Sequence, residues 1–131
     1  MRICSGKGFR LCGLDGRSGT LAHVDLRTGY RVGKYGVDVD GFEAFLERLP
    51  FSTLRTGLVM IDEIGKMECF SKLFKKTLEG VLDSNRPVIG SIAMKGDRFI
   101  QKIKERSDVL LVTVTPQNRD ELVNMYLKFD R

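Results

Sequence analysis

Two adjacent acidic residues, Asp62 and Glu63, directly follow the apolar run 58–61 (Leu-Val-Met-Ile). A short continuous apolar run predicts a strand of a parallel sheet that is covered on both faces. Ligands of open α/β sheets bind at the carboxyl ends of such strands, where this pair is expected. One carboxylate there can bind Mg²⁺ through water, and the second can polarise a water molecule that attacks a phosphate. Two acids after a strand are equally typical of a solvated loop, so the pattern alone does not decide.

The acid pair needs a sheet to hold it, and the residues around it predict one. Two more nearly continuous apolar runs, 88–93 and 109–114, predict strands parallel to the first. Between the strands, apolar residues recur at helical spacing, in one stripe over 73–82 and in a shorter one over 99–103. The second part of the chain therefore alternates strands with helices.

Polar capping residues indicate where two helices begin. Asp40 is the predicted N-cap of a helix whose apolar residues fall within 42–49, and Glu43 completes a capping box. Thr115 is the predicted cap of the last helix, with Pro116 in its first turn.

Residues 1–39 differ from the rest, because they are rich in glycine and alternate apolar with polar side chains. The pieces 9–12 and 21–24, separated by a turn-rich segment, predict a β-hairpin, and a third extended piece follows over 31–39. We therefore predict an α/β fold in a single domain, residues 1–131, with a hairpin prefix followed by the strand–helix part, residues 40–131.

The composition narrows the class of protein. The chain has 131 residues, enough for one core, and contains no apolar run near the ~20 residues of a membrane span. The N-terminus lacks the apolar core of a secretory signal, so no membrane partner and a cytoplasmic location are expected. The net charge of +5 favours anionic ligands, but the basic residues are scattered and not interleaved with aromatics, so nucleic acid is not an expected partner.

A longer motif separates the two interpretations of the acid pair. The segment 62–68 (Asp-Glu-Ile-Gly-Lys-Met-Glu) closely resembles the signature of the THEP-type nucleoside triphosphatases, also called cancer-related nucleoside triphosphatases. Further segments agree with that family in the same order: 8–11, 14–16, 31–37 and 118–120. The family consists of P-loop enzymes of the RecA-like acid-pair branch. The resemblance implies a three-layer P-loop NTPase-like parallel sheet, and hydrolysis of nucleoside 5′-triphosphates, such as ATP or GTP, to diphosphate and phosphate with Mg²⁺.

The resemblance also suggests roles for individual residues. Asp62 would hold Mg²⁺ and Glu63 would activate the attacking water, as in a Walker B motif. Lys66 could reach a phosphate oxygen as a point charge, although a surface lysine at the start of a helix explains it equally well. At the start of the last helix, Arg119 is placed to meet a nucleotide, with Asn118 and Asp120 as base or ribose contacts. First-turn capping explains Asp120 fully but Arg119 poorly.

One departure from the family pattern affects activity. The family begins with a strand and a Walker A loop, and no segment G-x-x-x-x-G-K-[ST] occurs within these 131 residues. We expect the first strand and the P-loop to be missing from the N-terminus and turnover by the chain alone to be weak or nil. Three alternatives follow: a triphosphatase whose true start lies upstream, a non-catalytic binding or assembly module, and a nucleotide or nucleoside kinase.

The missing strand also predicts association. In the family's strand order, the P-loop strand lies between the runs 88–93 and 109–114. Both runs are apolar enough to require a neighbour on each side, and an unpaired apolar edge is a template for pairing with another chain. We therefore expect a homo-oligomer formed through these edges.

Overall fold

The N-terminal part of the chain is an antiparallel sheet. The computed structural model describes residues 2–49 and 57–127, with side chains for 6–49 and 57–125. The five strands are β1 (Arg2–Ser5), β2 (Gly8–Cys12), β3 (Ser18–His23), β4 (Arg31–Val32) and β5 (Tyr35–Val37). They lie in the order β1-β2-β3-β5-β4. The predicted hairpin is confirmed as β2 and β3, within a larger sheet.

Helix α1 (Val39–Glu47) follows the sheet directly and corrects the predicted N-cap. The side chain of Asp38, not Asp40, accepts a hydrogen bond from the backbone N–H of Gly41, at 3.0 Å. The N–H of Asp38 donates to the carbonyl of Leu21 on β3. The same residue therefore ends the sheet pairing and starts the helix, so no linker is left in which Asp40 could act as the cap.

Two parallel strands and three helices make up the second part of the chain, and the acid pair lies on the first of these strands. They are β6 (Val59–Ile64), α2 (Lys72–Asp83), β7 (Val88–Ile92), α3 (Arg98–Lys104) and α4 (Arg119–Leu127). The strands β6 and β7 pair in parallel, and a short 3-10 helix, Glu68–Phe70, lies between β6 and α2. Strand β6 extends past the predicted run 58–61, so the acid pair lies within the strand and not after it.

The antiparallel sheet and the helices share one hydrophobic core. Leu21 on β3, Leu78 on α2 and Ile100 on α3 are almost completely buried. The rings of Phe42 on α1 and Phe74 on α2 contact each other, with centroids 5.5 Å apart. The buried residues of both parts form one cluster, which packs against the strand end that carries the acid pair.

The predicted third strand, 109–114, is wrong. In the structure this segment is not a strand, and Leu110 is 80% and Val114 is 67% exposed. The predicted cover on both faces of the parallel strands is also wrong, since Met60 on β6 is 60% exposed. A strand needs a hydrogen-bonded neighbour, and none of the described residues pairs with this segment.

The last helix begins later than predicted. Residues 116–118 form a turn, and α4 begins at Arg119 instead of just after Thr115.

Among the described residues, no helix is both long and apolar enough to cross a membrane.

Candidate functional site

The acid pair lies where the pairing of β6 with β7 is interrupted. The parallel register runs regularly to Ile61 and resumes at Ile64, so Asp62 and Glu63 fall in the irregular step between them. Ile64 is buried, and its carbonyl accepts a hydrogen bond from the N–H of Ala93, at 3.0 Å. The peptide bond between the two acids is cis. Asp62 is exposed and Glu63 is half-buried, on a strand end that is fixed on both sides of the step.

The partner of Asp62 is a serine on the neighbouring strand. The hydroxyl of Ser91 on β7 donates a hydrogen bond to Oδ1 of Asp62, at 2.5 Å. Sequence reasoning missed Ser91, although a hydroxyl late in an otherwise apolar strand was a usable signal. The strands approach closely beside it, because a Cβ at Gly90 would lie 2.9 Å from the carbonyl oxygen of Ile61.

The donor set at Asp62 fits magnesium. Asp62 and Ser91 offer only oxygen atoms, which are the ligands that Mg²⁺ prefers. Among the described side chains, no group of three or more His, Cys, Asp or Glu residues could hold a metal ion by itself. A site with one carboxylate matches Mg²⁺, which usually keeps several waters and takes further oxygens from substrate phosphates.

The loop after the acid pair is a hydrogen-bonded turn. The N–H of Cys69 donates to the carbonyl of Gly65, at 3.1 Å, and Met67 and Cys69 are both buried. Ser71 ends the turn and caps α2, because its hydroxyl accepts a hydrogen bond from the N–H of Phe74, at 3.0 Å. Lys66 is exposed on this turn, so the structure brings it to the same end of β6 as the acid pair.

A second glutamate approaches Glu63 inside this turn. A Cβ at Gly65 would lie 2.9 Å from Oε1 of Glu63 and 3.2 Å from Oε1 of Glu68, so both oxygens lie near one point. Glu68 is only 4% exposed. Sequence reasoning missed this residue as a separate candidate, because a glutamate at the start of a helix is usually solvated.

The neighbouring thiol is unsuited to nucleophilic chemistry. Burial, with the negative charge of Asp97, raises the pKa of Cys69 to about 12, against an opposing effect of Lys75 and a further small rise from Glu68. The thiolate is the nucleophilic form of cysteine, and it is not formed at neutral pH with such a pKa.

The segment 118–120 joins a hydrogen-bonded turn to the start of α4. The Asn118 side chain accepts a hydrogen bond from the N–H of Thr115, at 2.7 Å, and donates one to the carbonyl of Thr113, at 2.9 Å. Both ends of its amide are therefore used within its own turn, and its hydrogen bonds do not connect this segment to the acid pair. Arg119 and Asp120 are exposed in the first turn of α4.

The fold and this site define a class of protein. A parallel strand pair that carries polar residues at its carboxyl end and packs on helices has the arrangement in which α/β proteins bind ligands. A family model described as NTPase matches residues 5–127, and the chain belongs to this family. The α/β fold predicted from the sequence is confirmed, with its strands divided between an antiparallel sheet and a separate parallel pair.

Known relatives agree over nearly the whole chain. Nucleoside-triphosphatase THEP1 of Thermotoga maritima is 40% identical over 128 residues, which are 95% of this chain and 74% of that protein. The crystal structure of THEP1 from the hyperthermophile Aquifex aeolicus has a TM-score of 0.83 at 30% identity and covers 94% of this chain and 76% of its own. The solution structure of a human cancer-related nucleoside triphosphatase has a TM-score of 0.71 at 32% identity, covering 95% of this chain and 74% of its own.

Proposed function

We propose that the chain hydrolyses nucleoside 5′-triphosphates to diphosphate and phosphate at the acid pair, with Mg²⁺ and in the cytoplasm. The observation that carries this proposal is the position of Asp62 and Glu63 at the carboxyl end of β6, with Ser91 of β7 bonded to Asp62. The printed names of the relatives, nucleoside-triphosphatase THEP1, support the same reaction.

The two acids have different roles in this proposal. Asp62, exposed and bonded to a hydroxyl, is the residue that would hold Mg²⁺, together with Ser91. When bound, the ion neutralises charge on the phosphate oxygens. Glu63 is half-buried beside the turn and orients the attacking water by accepting a hydrogen bond from it. Phosphoryl transfer needs mainly such positioning and charge stabilisation from the protein.

Three further residues contact the substrate in this proposal. Lys66 is exposed near the acid pair and can reach a phosphate oxygen as a point charge. Arg119 and Asp120, exposed at the start of α4, contact the nucleotide, and Asn118 holds the turn that presents them. These 131 residues contain no glycine-rich G-x-x-x-x-G-K-[ST] loop, so we propose that turnover by this chain is slow.

We also propose that the chain forms a homo-oligomer through its exposed apolar segments. The segment 109–114 carries exposed leucine and valine side chains, and Ile89 on β7 is exposed as well. Surfaces of this kind are templates for pairing between chains. A second copy of the chain provides the same apolar run and closes the assembly by symmetry.

Glu63→Gln tests the proposed reaction. Glutamine keeps the size of the side chain but removes the carboxylate, so phosphate release from Mg-ATP or Mg-GTP should fall by about 10²-fold or more. Nucleotide affinity, measured with a fluorescent analogue, should stay within about twofold, because binding does not need this carboxylate. Glu79→Gln, at an exposed position on α2, is the matched control and should leave both quantities unchanged.

Two results would contradict the proposal. Near-normal turnover in Glu63→Gln would remove Glu63 from the mechanism. Nucleotide binding without measurable phosphate release by the unmodified chain, even at high protein concentration, would leave it as a non-catalytic binding module.

A further inference from the structure

Glu68 occupies an unusual position for a carboxylate. Among the described residues, the buried polar side chains are Glu68 and Ser71, and Glu68 is 4% exposed. Ser71 is explained by its cap on α2. Removing a carboxylate from water is unfavourable, so the location of Glu68 needs an explanation that a solvated helix start does not provide.

The carboxylates of Glu68 and Glu63 approach the same point beside Gly65. Oε1 of each residue lies within 3.2 Å of the place where a Gly65 side chain would begin. Glu63 reaches this place from β6, and Glu68 reaches it from the 3-10 helix on the other side of the turn. The space between the two carboxylates exists only because residue 65 has no side chain.

We propose that Glu68 is a positioning residue that restricts the carboxylate of Glu63 to one location, an inference that rests on the proposed function. A glutamate has several rotatable bonds, and a half-buried one can turn inward or toward the opening of its site. Glu68 occupies the space into which the Glu63 side chain could otherwise turn inward. The Glu63 carboxylate therefore stays where it meets the attacking water. Effective positioning matters because a displacement of about 1 Å can reduce a rate by roughly 10²-fold.

Backbone hydrogen bonds and buried neighbours hold Glu68 in place. The carbonyl of Glu68 accepts a hydrogen bond from the N–H of Ser71, and the N–H of Cys69 is bonded to Gly65. Buried Met67 and Cys69 flank Glu68 in the sequence and anchor it in the core. A side chain on such a turn has little freedom to move away from Glu63.

Substitutions of Glu68 separate the filling of space from charge. Glu68→Ala opens the inward space, so kcat should fall by about 10-fold or more while KM for the nucleotide changes little. Glu68→Gln keeps the volume and should restore kcat to within about threefold of the unmodified chain. An equal loss in both variants, or a change confined to KM, would overturn the proposal.

Gly65→Ala tests the same contact from the other side. The new methyl group meets the flexible end of Glu63, so the carboxylate must shift while the fold is kept. We expect a fall in kcat of about 10-fold, and Gly80→Ala, where nothing lies within 4 Å, is the matched control. Because both substitutions act on one carboxylate, the double variant Gly65→Ala/Glu68→Ala should lose less than the product of the two single losses. Multiplicative losses would contradict a shared action on Glu63.

A measurement without turnover distinguishes this inference from the proposed function. In protein labelled with ¹³C at glutamate side chains, the Glu63 carboxyl resonance can be assigned by its loss in Glu63→Gln. Without nucleotide, this resonance should shift or broaden in Glu68→Ala and stay near its original position in Glu68→Gln. If the unmodified chain releases no phosphate, the proposed function fails and this resonance alone decides the positioning role. An unchanged Glu63 resonance in Glu68→Ala would overturn the role even in an active protein.

Discussion

At the scale of single residues, the two acids differ in what surrounds them. Asp62 is exposed and bonded to a hydroxyl on the next strand, whereas Glu63 is half-buried against a turn that holds a second glutamate. An exposed carboxylate can share its oxygens with an ion and its waters, and a half-buried one can orient a single water. The difference in surroundings supports the division of roles between metal binding and water activation.

Replacing Asp62 should change the dependence on magnesium. Asparagine can still accept the hydrogen bond from Ser91 but has no charge, so Asp62→Asn should raise the Mg²⁺ concentration needed for half-maximal nucleotide binding by about tenfold or more. Ser91→Ala removes only the hydroxyl and should have a smaller effect. Magnesium titrations of a fluorescent nucleotide complex measure both. An unchanged magnesium dependence in Asp62→Asn would mean that the Walker B assignment is wrong.

The buried thiol of Cys69 should make the protein less stable in alkali. Its pKa is raised to about 12 from a usual value of 9.0, so above pH 9 the unfolded chain loses this proton and the folded chain keeps it. The unfolded state then binds fewer protons, and the free energy of unfolding falls with rising pH by up to about 1.4 kcal/mol per pH unit. Urea unfolding between pH 8 and 11 should show a shallower fall in Cys69→Ala. Equal slopes in the two proteins would contradict this expectation.

The sequence predicted part of the site, for a physical reason. Asp62 and Glu63 follow an apolar run directly, and such a local pattern is visible without knowledge of the fold. Ser91 and Glu68 join the site only through the pairing of β6 with β7 and the path of the turn. The hydroxyl of Ser91 in an apolar run was a signal, but the sequence did not show that it lies beside Asp62. Their contribution therefore depended on contacts that spacing alone does not reveal.

At the scale of elements, the start of α1 provides a direct test of the corrected cap. Asp38→Ala removes the hydrogen bond to Gly41 and should reduce the free energy of unfolding by about 1 kcal/mol. Asp40→Ala removes only an exposed first-turn charge and should cost about 0.3 kcal/mol. Chemical denaturation of both variants measures the difference. A larger loss in Asp40→Ala would support the cap predicted from the sequence.

Elements that depend on local contacts were predicted well, and those that depend on distant partners were not. Helix α2 has a clear apolar stripe, and the hairpin of β2 and β3 has a turn-rich connection, so both are encoded by neighbouring residues. The run 109–114 is apolar enough for a buried strand, but a strand also needs a paired backbone beside it. Apolar composition indicates a need for cover and does not identify what provides it.

At the scale of the whole molecule, the exposed apolar residues should control self-association. Leu110 is 80% exposed, and Leu110→Glu places a charge in the proposed interface, so the dissociation constant of the oligomer should rise by about tenfold or more. Leu14→Glu alters a similarly exposed leucine in the turn between β2 and β3 and should leave association unchanged. Sedimentation velocity over a range of concentrations measures both. An unmodified chain that stays monomeric at all the concentrations measured would contradict the proposed assembly.

The backbone of the segment 109–114 offers a way to locate such an interface without any substitution. The N–H of Val109 donates to the carbonyl of Arg106 and that of Thr115 to Asn118, but within the described residues the N–H groups of 110–114 have no acceptor. In an isolated chain these amides should exchange with deuterium at nearly the rate of an unstructured peptide, whereas the paired amides of β3 should exchange slowly. A neighbouring strand that pairs with the segment would protect alternate amides, so the pattern of protection would report the direction and register of that strand.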